Sequence, residues 1–185
     1  MGIFVRWLQR FVQLGLELAA RLIGGLLSAP VTAAKRATAP ITVRQGTATE
    51  LIDVRHQVLR RGRPRSTAVF DGDDEPSARH WVAVQADRVV GVVTVLERPL
   101  PADTPDAPSP PPRWQLRGMA VLEALQGEGV GGKLLSAVHT DVAEPMWCNA
   151  RTSAQRFYDR HGWKPLGEPF PIEPIGPHQR MMWTP

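Results

Sequence analysis

The chain has 185 residues, 43% of them hydrophobic and 22% charged, enough for one domain with a sizeable core plus appendages. Its formal net charge of +4 resides wholly in residues 1–40, where five Lys and Arg face the single acid Glu17. The remaining 17 basic and 17 acidic side chains cancel, and a neutral body gives no support to a nucleic-acid footprint. The single cysteine, Cys148, excludes an intrachain disulfide, and its place in a predicted buried strand suits a small apolar residue rather than a nucleophile.

Residues 3–27 have helical periodicity. Arg6, Arg10, Gln13, Glu17 and Arg21 lie opposite Phe4, Trp7, Phe11, Leu14, Leu18, Leu22 and Leu26, which predicts an amphipathic helix over residues 1–27. A bilayer span needs about 20 mainly uncharged residues, and Arg10, Glu17 and Arg21 interrupt every such window. Interfacial membrane attachment, docking on a partner or second copy, a cleaved targeting peptide, and packing on the chain's own domain all fit the pattern. The apolar and basic character favours membrane-surface contact. Residues 28–40, rich in Ala, Thr and Pro, read as a linker to a domain over residues 41–185.

Ile41 to Arg44 predicts a short strand and Thr49 to Arg60 a helix capped by Thr47 or Thr49, with Leu51, Ile52, Val54, Val58 and Leu59 on its apolar face. The arginines from Arg60 to Arg65 and the acids from Asp71 to Glu75 then read either as a solvated loop of offsetting charges or as a substrate wall. In the second reading Arg55 or the Arg60 to Arg65 group holds an acidic group. The Val-rich runs His80 to Gln85 and Val89 to Leu96 form a hairpin around Ala86-Asp87-Arg88. Seven prolines between Pro99 and Pro112 exclude regular structure and predict a stiff surface loop. Strand Trp114 to Val121, helix Gly132 to Val142, strand Met146 to Ala150 and helix Thr152 to His161 follow, the last stopped by Gly162.

Between strand and helix lies Leu125-Gln-Gly-Glu-Gly-Val-Gly-Gly-Lys-Leu-Leu135, with four glycines in six positions. Glycine lets successive N–H groups approach an anion, and the following helix adds its positive end, so the stretch reads as a phosphate cradle. Three templates fit in part. A P-loop would need a hydroxyl where Leu134 stands, which removes its metal ligand. A dinucleotide fingerprint should follow its strand directly and lead to an acid on the next strand; Leu122 to Gln126 intervene, and Met146 to Ala150 ends without one. The third template, Gln126-x-x-Gly129-x-Gly131 after Met119-Ala120-Val121, is complete and resembles the coenzyme A pyrophosphate loop of the GNAT acyltransferase superfamily.

Downstream, Ala154, Phe157, Tyr158, Gly162 and Trp163 stand as Ala-x-x-Phe-Tyr-x-x-x-Gly-Trp, similar to that family's Ala-x-x-Phe-Tyr-x-x-x-Gly-Phe signature. Gly176-Pro-His178-x-x-Met181 resembles its final hairpin. The resemblance spans about residues 41–183 and implies an α/β fold: a mixed, twisted, splayed β-sheet with helices on both faces, here with the N-terminal amphipathic helix added. It implies acetyl-CoA as co-substrate, no metal, and transfer to a primary amine of a small molecule or protein. The cofactor site so implied comprises the backbone of Met119 and Val121 for pantetheine, the loop Gln126, Gly127, Glu128, Gly129, Val130, Gly131, Gly132 and Lys133 for the pyrophosphate, and Asn149 and Arg151 on the facing strand. Gln126 stands where Arg is commoner, and Arg151 where an Asn often lies. Tyr158, the only tyrosine, takes the general-acid position, where a phenol can protonate a departing thiolate.

Among the bases His178, Glu97 and Glu123, His178 is favoured because the resemblance implies a hairpin that flanks the acceptor pocket. Arg55 and Arg117 are candidate acceptor contacts. The competing readings are a membrane-tethered acyl-CoA-binding module without turnover and a longer-chain N-acyltransferase. A need for acyl-CoA suits a cytoplasmic location, peripheral to a membrane if residues 3–27 bind one. The acceptor and the oligomeric state are not legible.

Overall fold

In the computed structural model, residues 39–185 are described, and the amphipathic-helix segment 3–27 lies outside them. Seven strands form one sheet in the order β1-β2-β3-β4-β5-β7-β6: β1 Thr42–Gly46, β2 Arg79–Gln85, β3 Arg88–Glu97, β4 Trp114–Val121, β5 Met146–Arg151, β6 Lys164–Ile172 and β7 Gly176–Trp183. Helix α1 (Ala48–Leu59) follows β1, α2 (Val130–Val142) lies between β4 and β5, and the short α3 (Gln155–Arg160) precedes β6. Thr47 is the N-cap of α1, its N–H bound by the Glu50 carboxylate at 2.9 Å.

Helices cover both faces of the sheet. Leu51 and Val54 of α1 pack with Val82 and Val92, whereas Leu134, Leu135 and Val138 of α2 pack with Ala83, Val93 and Val95. β3 is therefore buried on both sides, which is why its apolar run is continuous rather than alternating. Each such fully buried Leu or Val contributes about 1.5–3 kcal/mol.

The expected loop between Pro99 and Pro112 has no helix or strand, but it is not wholly a surface feature. Leu100 is buried against Trp147 and Leu166, and the loop ends are joined by Arg98 N–H to Arg113 C=O at 2.7 Å and Leu100 N–H to Pro112 C=O at 2.8 Å. Arg180 anchors its middle by donating to Thr104 Oγ1 at 2.6 Å.

Two irregularities of β4 open the sheet. Opposite β3, Val92 pairs with Ala120 and Thr94 with Arg117, so Gly118 and Met119 share the space facing Val93 as a bulge. Opposite β5, the one parallel neighbour, pairing stops after Trp114 with Met146 and Gln115 with Trp147. Beyond Gln115 the two strands diverge.

Candidate active site

The divergence leaves a cleft of about 1070 Å³. Its walls are β4 from Gln115 to Val121, β5 from Cys148 to Arg151, the end of α1, residues Phe70 and Asp71, and the inner side of α3. The glycine turn stands at one end. Gly127 at φ +88° and Gly129 at φ +77° need the left-handed region, and a Cβ at either would meet nothing within 4 Å, so their backbone is open to a ligand. Gly131 is fixed by packing instead, since a Cβ there would come within 3.0 Å of the Phe157 ring.

The loop residues do not all face this space. Gln126, Gly127 and Gly131 line it, while the Val130 side chain is buried in the core beneath α2. Glu128 and Gly129 are not among the lining residues, and Gly132 backs onto His161, whose Nε2 would lie 2.9 Å from an added Cβ. Lys133 corrects the expectation of a charge beside the phosphates: its ammonium donates to the Ile41 carbonyl at 3.3 Å, away from the cleft. Gln126 closes the turn by donating from Nε2 to the Val121 carbonyl at 2.9 Å.

Tyr158 and Met119 meet across the middle of the cleft, where the phenol donates to Met119 Sδ at 3.7 Å. Burial, and then neighbouring Cys148, push the Tyr158 hydroxyl well above its ordinary value, so it is a protonated donor. Burial likewise raises the Cys148 thiol. Opposite, His178 is 6% exposed and its Nδ1 bonds to the Gly176 carbonyl at 2.8 Å. Since a carbonyl only accepts, Nδ1 carries a proton, and Nε2 is the ring nitrogen not engaged by Gly176. Asn149 and Arg151 also line the cleft, Asn149 accepting from Arg180 Nε at 3.4 Å and Arg151 donating to the Leu59 carbonyl at 3.2 Å.

The other base candidates are placed differently. Glu123 stands on the cleft wall in an exposed ion pair with Arg61 at 2.8 Å, and Glu97 is outside it, paired with Arg113 at 2.9 Å.

Arg55 corrects a second expectation. It is 0% exposed and lies behind the cleft wall, bonded to Asp73 Oδ2 at 2.6 Å, Thr94 Oγ1 at 2.7 Å and the Gly118 carbonyl at 3.4 Å. His80 completes this network through Thr94 Oγ1 at 2.8 Å and the Asp73 carbonyl at 3.0 Å. Arg55 therefore supports the bulge rather than touching a substrate. Arg117 does line the cleft, as does Arg60 of the suggested arginine wall; Phe70, Arg98 and Gln115 line it too, and sequence reasoning did not single these three out as site residues. Gln115 Oε1 is buried without a protein partner at the apex of the divergence. A polar residue closing a mostly apolar strand pattern was its only signal.

A mixed sheet splayed between its two parallel strands, with a glycine turn leading into a helix, defines an open α/β protein. Residues 76–165 match the family model described as an acetyltransferase (GNAT) domain. An uncharacterized N-acetyltransferase, YitI, of Bacillus subtilis (strain 168) is 29% identical over 136 residues, covering 71% of this chain and 88% of its own length. Among solved structures, the histone acetyltransferase HPA2 and related acetyltransferase from Corynebacterium glutamicum ATCC 13032 is 22% identical, with a TM-score of 0.62 over 78% of this chain and 96% of that one. An aminoglycoside 6'-N-acetyltransferase complexed with coenzyme A is 15% identical, with a TM-score of 0.58 over 77% and 96% of the two chains. Across residues 76–165 the chain carries a GNAT acetyltransferase domain.

Proposed function

We propose that the protein transfers the acetyl group of acetyl-CoA to a primary amine by direct attack within one ternary complex. The observation that carries this reading is that the Tyr158 hydroxyl and the His178 imidazole line one cleft whose end is the glycine turn. Acetyl-CoA supplies the activated acyl group. The β5-facing edge of β4, unpaired beyond Gln115, offers strand-like bonds to the pantetheine arm, and an N–H near Met119 polarises the carbonyl oxygen as charge gathers on it. His178 Nε2 takes the amine proton as the new C–N bond forms, and Tyr158 gives its proton to the sulfur as the C–S bond breaks. Cys148 is no acyl carrier, because its raised thiol pKa leaves almost no thiolate near neutrality. The proposal extends to a cytoplasmic enzyme held at a membrane surface by residues 3–27, a part that rests on the sequence pattern.

The test is thiol release from acetyl-CoA by the full chain across a panel of amines, with Tyr158→Phe alongside. Loss of one general acid predicts a kcat lower by about 10²-fold with the KM for acetyl-CoA unchanged. Binding of acetyl-CoA without release from any amine would favour a binding module. Release from long-chain acyl-CoA alone would favour the longer acyl donor.

A further inference from the structure

The cleft wall beside α1 is more cationic than acetyl-CoA binding at the glycine turn requires. Arg60 and Arg117 stack their guanidiniums on the Phe70 ring, 4.7 and 5.3 Å from its centroid, and Arg151 reaches the same corner through the Leu59 carbonyl. Among the described residues, Arg55, Arg61, Arg65, Arg79, Arg98 and Arg113 all have carboxylate partners, but these three have none. Their bonds run to carbonyls instead: Arg60 to Thr67 at 3.2 Å and to Leu59 at 3.0 Å, and Arg117 to Asp71. Carbonyls fix a guanidinium in place without neutralising it, and each guanidinium has five N–H donors to distribute. Of the acids around them, Glu123 is paired with Arg61, Asp73 with the buried Arg55, and the 99% exposed Asp71 side chain lies 4.0 Å from Arg98.

We propose that the acceptor amine carries an anionic group, a carboxylate or a phosphate, and that Arg60, Arg117 and Arg151 hold it against the α1 side of the cleft. The amine itself follows from the acetyl-transfer reading above, while the anion follows from the arginines alone. Partly buried, unpaired cations on one wall are repelled by one another and by a polycationic acceptor. An oxyanion relieves that repulsion and matches the planar fork of a guanidinium. Burial comes first in lowering the affinity of Arg60 and Arg117 for their protons; the nearby Arg151 adds to the effect for Arg60, while Asp73 opposes it for Arg117.

The experiment uses the full chain and amines matched except for the anion: L-amino acids with their carboxamides, phosphoethanolamine with ethanolamine, and spermidine as a polycation. Thiol release is measured together with calorimetric binding to the CoA-loaded protein. The expected result is at least a tenfold kcat/KM preference for the anionic member of a pair, the two sets distinguishing carboxylate from phosphate. Arg117→Gln and Arg60→Gln should each reduce that preference severalfold through the acceptor KM and leave the acetyl-CoA KM unchanged. Equal rates within pairs, a preference for spermidine, or variants that raise only the acetyl-CoA KM would overturn the proposal. If no amine is acetylated, the transfer reading fails by itself, and calorimetry still decides: anion-dependent binding that Arg117→Gln removes supports the arginine wall, and its absence overturns it.

Discussion

Arg55 illustrates how a charged side chain suggestive of substrate binding can instead belong to the frame. Its charge is buried, desolvation pulls its pKa down, and Asp73 opposes that shift by hydrogen bond and by charge. Asp73 is itself 5% exposed, with one carboxylate oxygen unpartnered and the other shared by Arg55, its ion-pair partner, and the Phe70 N–H at 2.8 Å. Arg55→Ala would leave a buried carboxylate unpaired and should lower unfolding free energy by about 3–5 kcal/mol in a urea titration. A residue that only held an acceptor would instead leave the urea midpoint in place and raise the acceptor KM.

At the scale of elements, β4 is the strand on which the site depends. Gly118 sits at φ +58° in its bulge, and a Cβ there would come within 2.7 Å of Arg55 Nε and Nη2, atoms already bound to their own partners. Gly118→Ala combines left-handed strain of about 1–2 kcal/mol with overpacking of about 1–3 kcal/mol. The bulge should shift in response. The expected outcome is a fall in kcat/KM of at least about tenfold together with lower stability, since 1.4 kcal/mol of misplaced geometry already amounts to that factor. Gly127→Ala has open space and only the φ penalty, so its loss should appear chiefly as a raised acetyl-CoA KM. Comparing the two variants in chemical denaturation and steady-state kinetics checks both expectations. Equal stability loss in both would contradict the packing argument.

For the whole molecule, the C-terminal hairpin must stay docked on α2 because β7 brings His178 to the cleft. His139 of α2 makes that connection, accepting from Trp163 Nε1 at 3.2 Å and stacking on Trp183 at 3.8 Å. Burial first, and His161 second, lower its pKa to about 4 from the ordinary 6.5. Between those two values the unfolded chain binds more protons than the folded one. Stability is therefore complete above about pH 6.5 and declines as pH falls toward 4. Thermal melts should show Tm falling through this window, and His139→Gln, which cannot titrate, should flatten the slope. A wild-type Tm that stays constant from pH 6.5 to 4 would argue against the docking role.

Local chemistry by itself determined the elements, because their signals lie within a few residues: the Val-rich runs of β2 and β3, the cap at Thr47, the stop at Gly162, and the strand, glycine turn and helix from Trp114 to Val142. That stretch, the Ala154 to Trp163 signature and the final hairpin with His178 made the family and the roles of Tyr158 and His178 readable as expectations. Where each charge points was decided only in three dimensions. Lys133, Arg55 and Arg117 are alike in sequence as cations near a motif, yet one faces Ile41, one is buried under the bulge, and one lines the cleft. Arg55 meets Asp73, Thr94 and Gly118 across separations of 18, 39 and 63 residues. Such partners are set by strand pairing and the β4 bulge, and no local periodicity encodes them.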